Sequence, residues 1–202
     1  MNFKNQIKMK KISLTTVSSI TARRLAGIFL LSSFISLTTG CKKDPVDPRP
    51  HYYTLGEQYG GGIVFYVDST QQHGLIAATV DQSITAPWWN GTFVATNATS
   101  TSDGFTNTQK IVAAQQSGEY AASICDRYAG GGLTDWFLPS KDQLDKLYSN
   151  RMFVGGFSNE IYWSSTEFDV ASVWVQDFTN GQQHLDNSSD GANVHTRAIR
   201  AF

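Results

Sequence analysis

Apolar and polar positions alternate most sharply between residues 161 and 186. Tyr162-Trp163-Ser164-Ser165-Thr166-Glu167 and Val173-Trp174-Val175-Gln176-Asp177-Phe178 carry the period-two pattern of half-buried strands. Asn180-Gly181 follows, and predicts a two-residue type I′ hairpin turn because both residues accept positive φ. Such a turn places Phe178 opposite Gln183, Asp177 opposite His184, Gln176 opposite Leu185 and Val175 opposite Asp186. Side chains alternate between faces, so Trp174, Phe178 and Leu185 fall together and read as core. Asp177, His184 and Asp186 share the other face and read as a displayed polar surface.

Upstream, residues 60–68 and 74–79 read as two strands joined by a turn, and Gly60-Gly61-Gly62 as a tight turn or close packing at a strand start. A phosphate loop is excluded there, because no Lys-Ser/Thr and no helix follow the glycines. Residues 81–103 form a long Thr/Ser/Asn-rich loop containing Trp88-Trp89. Such a pair either stacks on sugar rings or tucks back onto the core, and apolar area favours the core. A helical period runs from Thr106 to Tyr128, with a break expected at Gly118. Asp135 to Pro139 should be extended. Ser140-Lys141-Asp142-Gln143 is a capping box opening a helix with Leu144, Leu147 and Tyr148 on one face. Residues 194–202 read as a final strand. Strand pair, helices, then antiparallel strands make an α+β domain.

The N-terminal residues have a different composition. Residues 1–40 hold six Lys/Arg and no acid, and Leu25 to Leu37 is an apolar run shorter than the roughly 20 residues a membrane span needs. Leu37-Thr38-Thr39-Gly40-Cys41 resembles a bacterial lipobox, which implies a lipoprotein signal peptide over 1–40 and lipid on Cys41. An uncleaved anchor is the alternative. Residues 41–50 contain three prolines among charges and form a stiff tether. Lys42-Lys43-Asp44 resembles the tethers of Bacteroidetes-type surface lipoproteins, which implies an outer-membrane protein facing the exterior. The domain proper, 51–202, has seven basic against fifteen acidic side chains, a balance of −8. That charge disfavours nucleic acid as a partner and leaves glycans or proteins. With Cys41 assigned to lipid, Cys125 stands alone on an apolar stripe and reads as a core residue.

Four motifs carry a family resemblance. Trp136-Phe137-Leu138-Pro139-Ser140-Lys141-Asp142-Gln143-Leu144, Tyr162 to Glu167, Trp174/Phe178/Gly181 and Arg197-Ala198-Ile199-Arg200 are together similar to the Lcl C-terminal-like domain family. The resemblance covers about residues 55–202 and implies a C-type-lectin-like fold with an adhesive, ligand-binding role. The calcium triplets of C-type lectins are absent, so no cofactor is predicted, although the acidic hairpin face could hold a weak calcium site. Candidate contact residues are Asp177, Asn180, His184, Asp186, Asn187, Asp190, Asn193 and His195, with Trp88 and Trp89. Ser164-Ser165 near His184 or His195 lacks the flanking glycines of a nucleophile elbow, and no enzymatic activity is predicted. Two readings remain: a membrane-anchored module binding an extracellular glycan or protein, and a structural subunit of a surface assembly.

Overall fold

The computed structural model describes residues 49–189 and 192–202. The expectations for 1–40, for Cys41 and for Asp190 fall outside the described residues. Among the described residues, two four-stranded sheets and four α-helices give an α+β architecture. The first sheet runs in the order β1 (Gln58–Tyr59), β2 (Gly62–Val67), β3 (Gly74–Ala77), β8 (Ile199–Ala201), all antiparallel. The second is ordered β6 (Gln183–Asn187), β5 (Ser172–Asp177), β4 (Ile161–Glu167), β7 (Val194–His195). In it β4 and β7 pair in parallel, a departure from the all-antiparallel expectation. The final strand is thus split: β7 closes one sheet and β8 the other. Arg197 lies between them.

The helices are α1 (Gly104–Gln115), α2 (Ala121–Asp126), α3 (Lys141–Ser149) and α4 (Arg151–Val154). The break near Gly118 is present, and a side chain there would strike the amide of Asn90. The capping box of α3 is also present: Ser140 Oγ accepts from the Gln143 amide, and Gln143 Oε1 accepts from the Ser140 amide. Ser140→Ala should therefore cost about 1 kcal/mol in urea denaturation, the usual value of an N-cap hydroxyl.

The triple glycine at the start of β2 is close packing. Gly61, at φ 84°, lies against Gly130 and Gly131, and a Cβ on it would sit 2.4 Å from the Gly131 nitrogen. Two glycine turns meet backbone to backbone.

The core has two buried clusters. One joins Trp136, Trp163, Trp88, Val173 and Val175 to α1 and α2, and the other joins Phe65, Leu144, Leu147, Tyr162 and Phe178. The Tyr162–Glu167 stretch ties the long 78–103 segment to this core. Trp163 Nε1 donates to Ala86 O at 2.8 Å, and Trp88 Nε1 donates to Ser164 O at 2.8 Å. Glu167 accepts from the Thr96 amide, the Thr96 hydroxyl and the Ala98 amide. These bonds satisfy groups that burial would otherwise leave costly. Cys125 is fully buried, and burial pushes its thiol far above the ordinary range.

Candidate functional site

The 172–187 hairpin has a different register from the expected one. Val175 lies opposite His184, Trp174 opposite Leu185 and Val173 opposite Asp186, two residues away from the type I′ alignment. The cause is the turn. Asn180 does not adopt positive φ; only Gly181 does, at 84°. Phe178, Thr179, Asn180 and Gly181 form a four-residue loop, closed by the Gly181 amide on Asp177 O and the Asp177 amide on Gln182 O. Gly181 also packs against the Tyr148 ring, where a Cβ would clash.

The loop occupies two of the candidate contact residues. Asp177 accepts from the Thr179 amide at 2.7 Å and from Asn180 Nδ2 at 2.8 Å, and Asn180 Oδ1 accepts from the Gln182 amide at 2.8 Å. Partial desolvation raises the Asp177 carboxyl, but the bonds from Thr179 and Asn180 and the nearby His184 outweigh it and hold the group below its usual range. Both side chains shape the turn, as Asx residues commonly do.

The two faces of the hairpin are also reversed relative to the expectation. Val173 and Val175 point into the core, whereas Trp174 is only half-buried and Leu185 is exposed. Phe178 is buried, but it belongs to the turn rather than to the strand. The outward face of the sheet therefore carries Trp174 and Leu185 as a cross-strand pair. Phe168, 59% exposed, sits edge-on to Trp174 with ring centroids 6.5 Å apart. Lys141 places its ammonium 4.6 Å from the Trp174 ring. Gln183 and Asn187 share this face by alternation; Gln183 Nε2 donates to Lys141 O at 2.8 Å. The strand β6 has β5 on one side and no described strand on the other. The result is a small aromatic platform flanked by a cation and amides, beside an unpaired backbone edge.

The other candidates are dispersed. His184 is exposed and Asp186 half-buried on β6, and the exposed Asn187 accepts from Ser189. Asn193 is exposed with φ 61°. Trp88 is 2% exposed and committed to Ser164 O, so it offers no contact surface. Trp89 is half-buried and stacks on Phe93 at 4.3 Å. Ser164 and Ser165 have Trp174 O and Asn107 Nδ2 as hydroxyl partners rather than a histidine.

His195 is buried in a network that lacks a local sequence signature. Asp81 Oδ2 meets His195 Nδ1 at 2.7 Å and accepts from the Tyr162 hydroxyl at 2.9 Å, while Asp81 Oδ1 accepts from Arg197 Nε at 2.5 Å. Arg197 is fully buried, and it also donates to Ala78 O and Gly156 O. Burial, with Asp81 contributing, pushes the Tyr162 phenol well above its ordinary range, so it remains a donor across physiological pH. Asp81 thus links the loop after β3 to β4, β7 and the segment before β8.

Among the described residues, no group of three or more His, Cys, Asp or Glu side chains is placed to hold a metal ion. Also among them, no helix is long and apolar enough to cross a membrane. No protein-family model matches the chain, and no curated protein matches it at a significant level.

Proposed function

We propose that this protein is a membrane-anchored lipoprotein of the outer cell surface whose C-terminal domain, of C-type-lectin-like fold, binds an extracellular glycan or protein without catalysis. The observation that carries the binding role is the outward platform of Phe168, Trp174 and Leu185 beside Lys141. Monomer surfaces rarely leave large aromatics and aliphatics grouped in the open unless something docks there. Trp with amide and cationic neighbours suits both sugar rings and protein partners. The lectin-like reading is supported by the presence of the first and last strands of the domain in one sheet, and by a second sheet whose β4 fastens the long segment that follows β3. The lipid anchor rests on the sequence around Cys41 and the tether after it.

The test is binding of the mature lipoprotein to a mixed array of glycans and extracellular proteins, with and without calcium. Saturable binding of at least one array member, with no chemical turnover, is the expected result. The unpaired edge of β6 favours a second reading, a structural subunit that extends its sheet by strand addition from another surface protein. A blank array together with a self component recovered after cross-linking on the cell would select that reading over the first.

A further inference from the structure

A cleft of about 240 Å³ opens between α4, the segment that follows it and Phe178 of the β5–β6 turn, and it shares no side chain with the sheet platform. Its lining comprises Arg151, Met152, Phe157, Ser158, Asn159 and Phe178, with the backbone of Gly155 and Gly156. None of these is acidic, in a domain whose acids outnumber its bases two to one. Arg151 is the residue that gives the cleft its chemistry. Arg127, Arg197 and Arg200 are each paired with a carboxylate: Glu119, Asp81 and Asp135. Arg151 has no such partner among the described residues. Its guanidinium lies 3.9 Å over the Tyr148 ring and spends Nη1 on Tyr148 O at 2.8 Å. Nε and Nη2 are left for something else, and stacking on the ring fixes the plane in which they point.

The Gly156–Ser158 part of the lining is held by residues outside the cleft. Arg197 Nη2 donates to Gly156 O at 2.5 Å and its guanidinium stacks on Phe157 at 4.1 Å. The Ser158 amide donates to the Tyr162 hydroxyl at 3.0 Å. Arg197 and Tyr162 both end on Asp81, so one buried carboxylate positions two backbone points of the cleft loop. Phe157 and Phe178 pack as tilted rings with centroids 5.1 Å apart and give the cleft apolar surface. The cleft is lined by a guanidinium stacked on an aromatic ring and by a pinned segment that supplies aromatic, hydroxyl and amide groups, the features of a prepared pocket.

We propose that this cleft is a binding site for a small ligand bearing a carboxylate, clamped by Arg151 with its ring or side chain against Phe157. A guanidinium fork matches a carboxylate in plane and in donor spacing. Drug-sized pockets begin near 300 Å³, so the occupant is a single ring or side chain. A sugar acid and a peptide C-terminus both supply that chemistry.

Ligand-observed NMR and calorimetry on the mature full chain separate these sources. The probes are glucuronate and N-acetyl-phenylalanine, each with its neutral counterpart, glucose and N-acetyl-phenylalanine amide. Saturable binding of one carboxylate is expected, weaker by about tenfold or more for its neutral counterpart and for Arg151→Gln, and partly kept by Arg151→Lys. Asn159→Asp, an exposed change that sets a negative charge at the rim, should weaken binding in the same direction and serves if the Arg151 variants fail to fold. Equal binding of the neutral counterparts, an unaffected Arg151→Gln or Asn159→Asp variant, or no saturable binding of either carboxylate would each overturn the assignment. The outcome is independent of the sheet platform, whose residues the cleft does not use.

Discussion

Asp81→Ala is expected to lower the stability of the domain by about 3–5 kcal/mol, because it strips the carboxylate from a fully buried guanidinium. Arg197 would retain only the Ala78 and Gly156 carbonyls, neither of which neutralises its charge. The Tyr162 hydroxyl would lose its acceptor, and the His195 ring its only hydrogen-bond partner among the described residues. For a domain of roughly 150 residues that corresponds to a fall in Tm of about 10 °C or more. Urea denaturation and calorimetry measure it directly. The companion variant Asp81→Ala/Arg197→Met should recover much of the loss, since replacing both partners of a buried pair by apolar groups is often close to neutral. A loss under about 1 kcal/mol in the single variant would show that water or a neighbouring group satisfies Arg197, contrary to the reading of Asp81 as the hub of the C-terminal strands.

Gly61→Ala has the second largest expected effect. At φ 84° an alanine enters the left-handed region at a cost of about 1–2 kcal/mol. Its methyl would also lie 2.4–2.6 Å from the nitrogen of Gly131 and the carbonyl of Gly130. Backbone cannot rotate out of the way as a side chain can, so overpacking adds about 1–3 kcal/mol. A destabilisation of about 2–5 kcal/mol by urea denaturation is therefore expected. Gly132→Ala is the matched control: it shares a positive φ, at 76°, but a Cβ there meets nothing within 4 Å. It should show the conformational cost alone. Equal losses in the two variants would mean that the contact between the glycine turns is loose.

Much of the fold was legible because its signals are local. The Ser140 capping box, the break at Gly118 and the strand pair around residues 69–73 each depend on a few adjacent residues. The hairpin faces were not legible, because alternation defines two faces without saying which is covered. Val173 and Val175 compete with Trp174 for the core, and β6 contains a single apolar residue, Leu185, so it cannot tip the choice. The packing of the opposite wall decides it. The turn did leave a readable trace: Asp177 two residues before Thr179 and three before Asn180 suits an Asx turn, with Gly181 alone taking positive φ. Reading Asn180-Gly181 as a two-residue turn passed over it. The Asp81 network left no trace of this kind, since Tyr162, His195 and Arg197 lie 81, 114 and 116 residues away. The same distance explains why His195 looked like a surface residue. The order of the four motifs was informative in another way. Tyr162 to Glu167 is a strand as expected, and its bonds to Asp81, Ala86, Ser100, Thr96 and Ala98 fasten loops to the core.

The proposed contact surface also lies on the other side of the hairpin from the expected one. The expected polar face of Asp177, His184 and Asp186 contains a turn cap, an exposed histidine and a half-buried acid. The face read as core is the one that meets solvent with aromatic surface. Lys141 reaches it from the first turn of α3, so the first motif and the third converge on one patch.

The central claim is that this platform makes the contact. Its most direct test takes whichever array member binds the mature protein and measures its affinity for Phe168→Ser/Trp174→Ser/Leu185→Ser beside Asp177→Ala/His184→Ala/Asp186→Ala. The platform variant should retain its Tm to within a few degrees and lose at least about a hundredfold in affinity, as loss of clustered aromatic anchors does. The polar variant should lose less than about tenfold once its turn is shown to be intact. The reverse order would contradict the account and return the site to the acidic side of the hairpin.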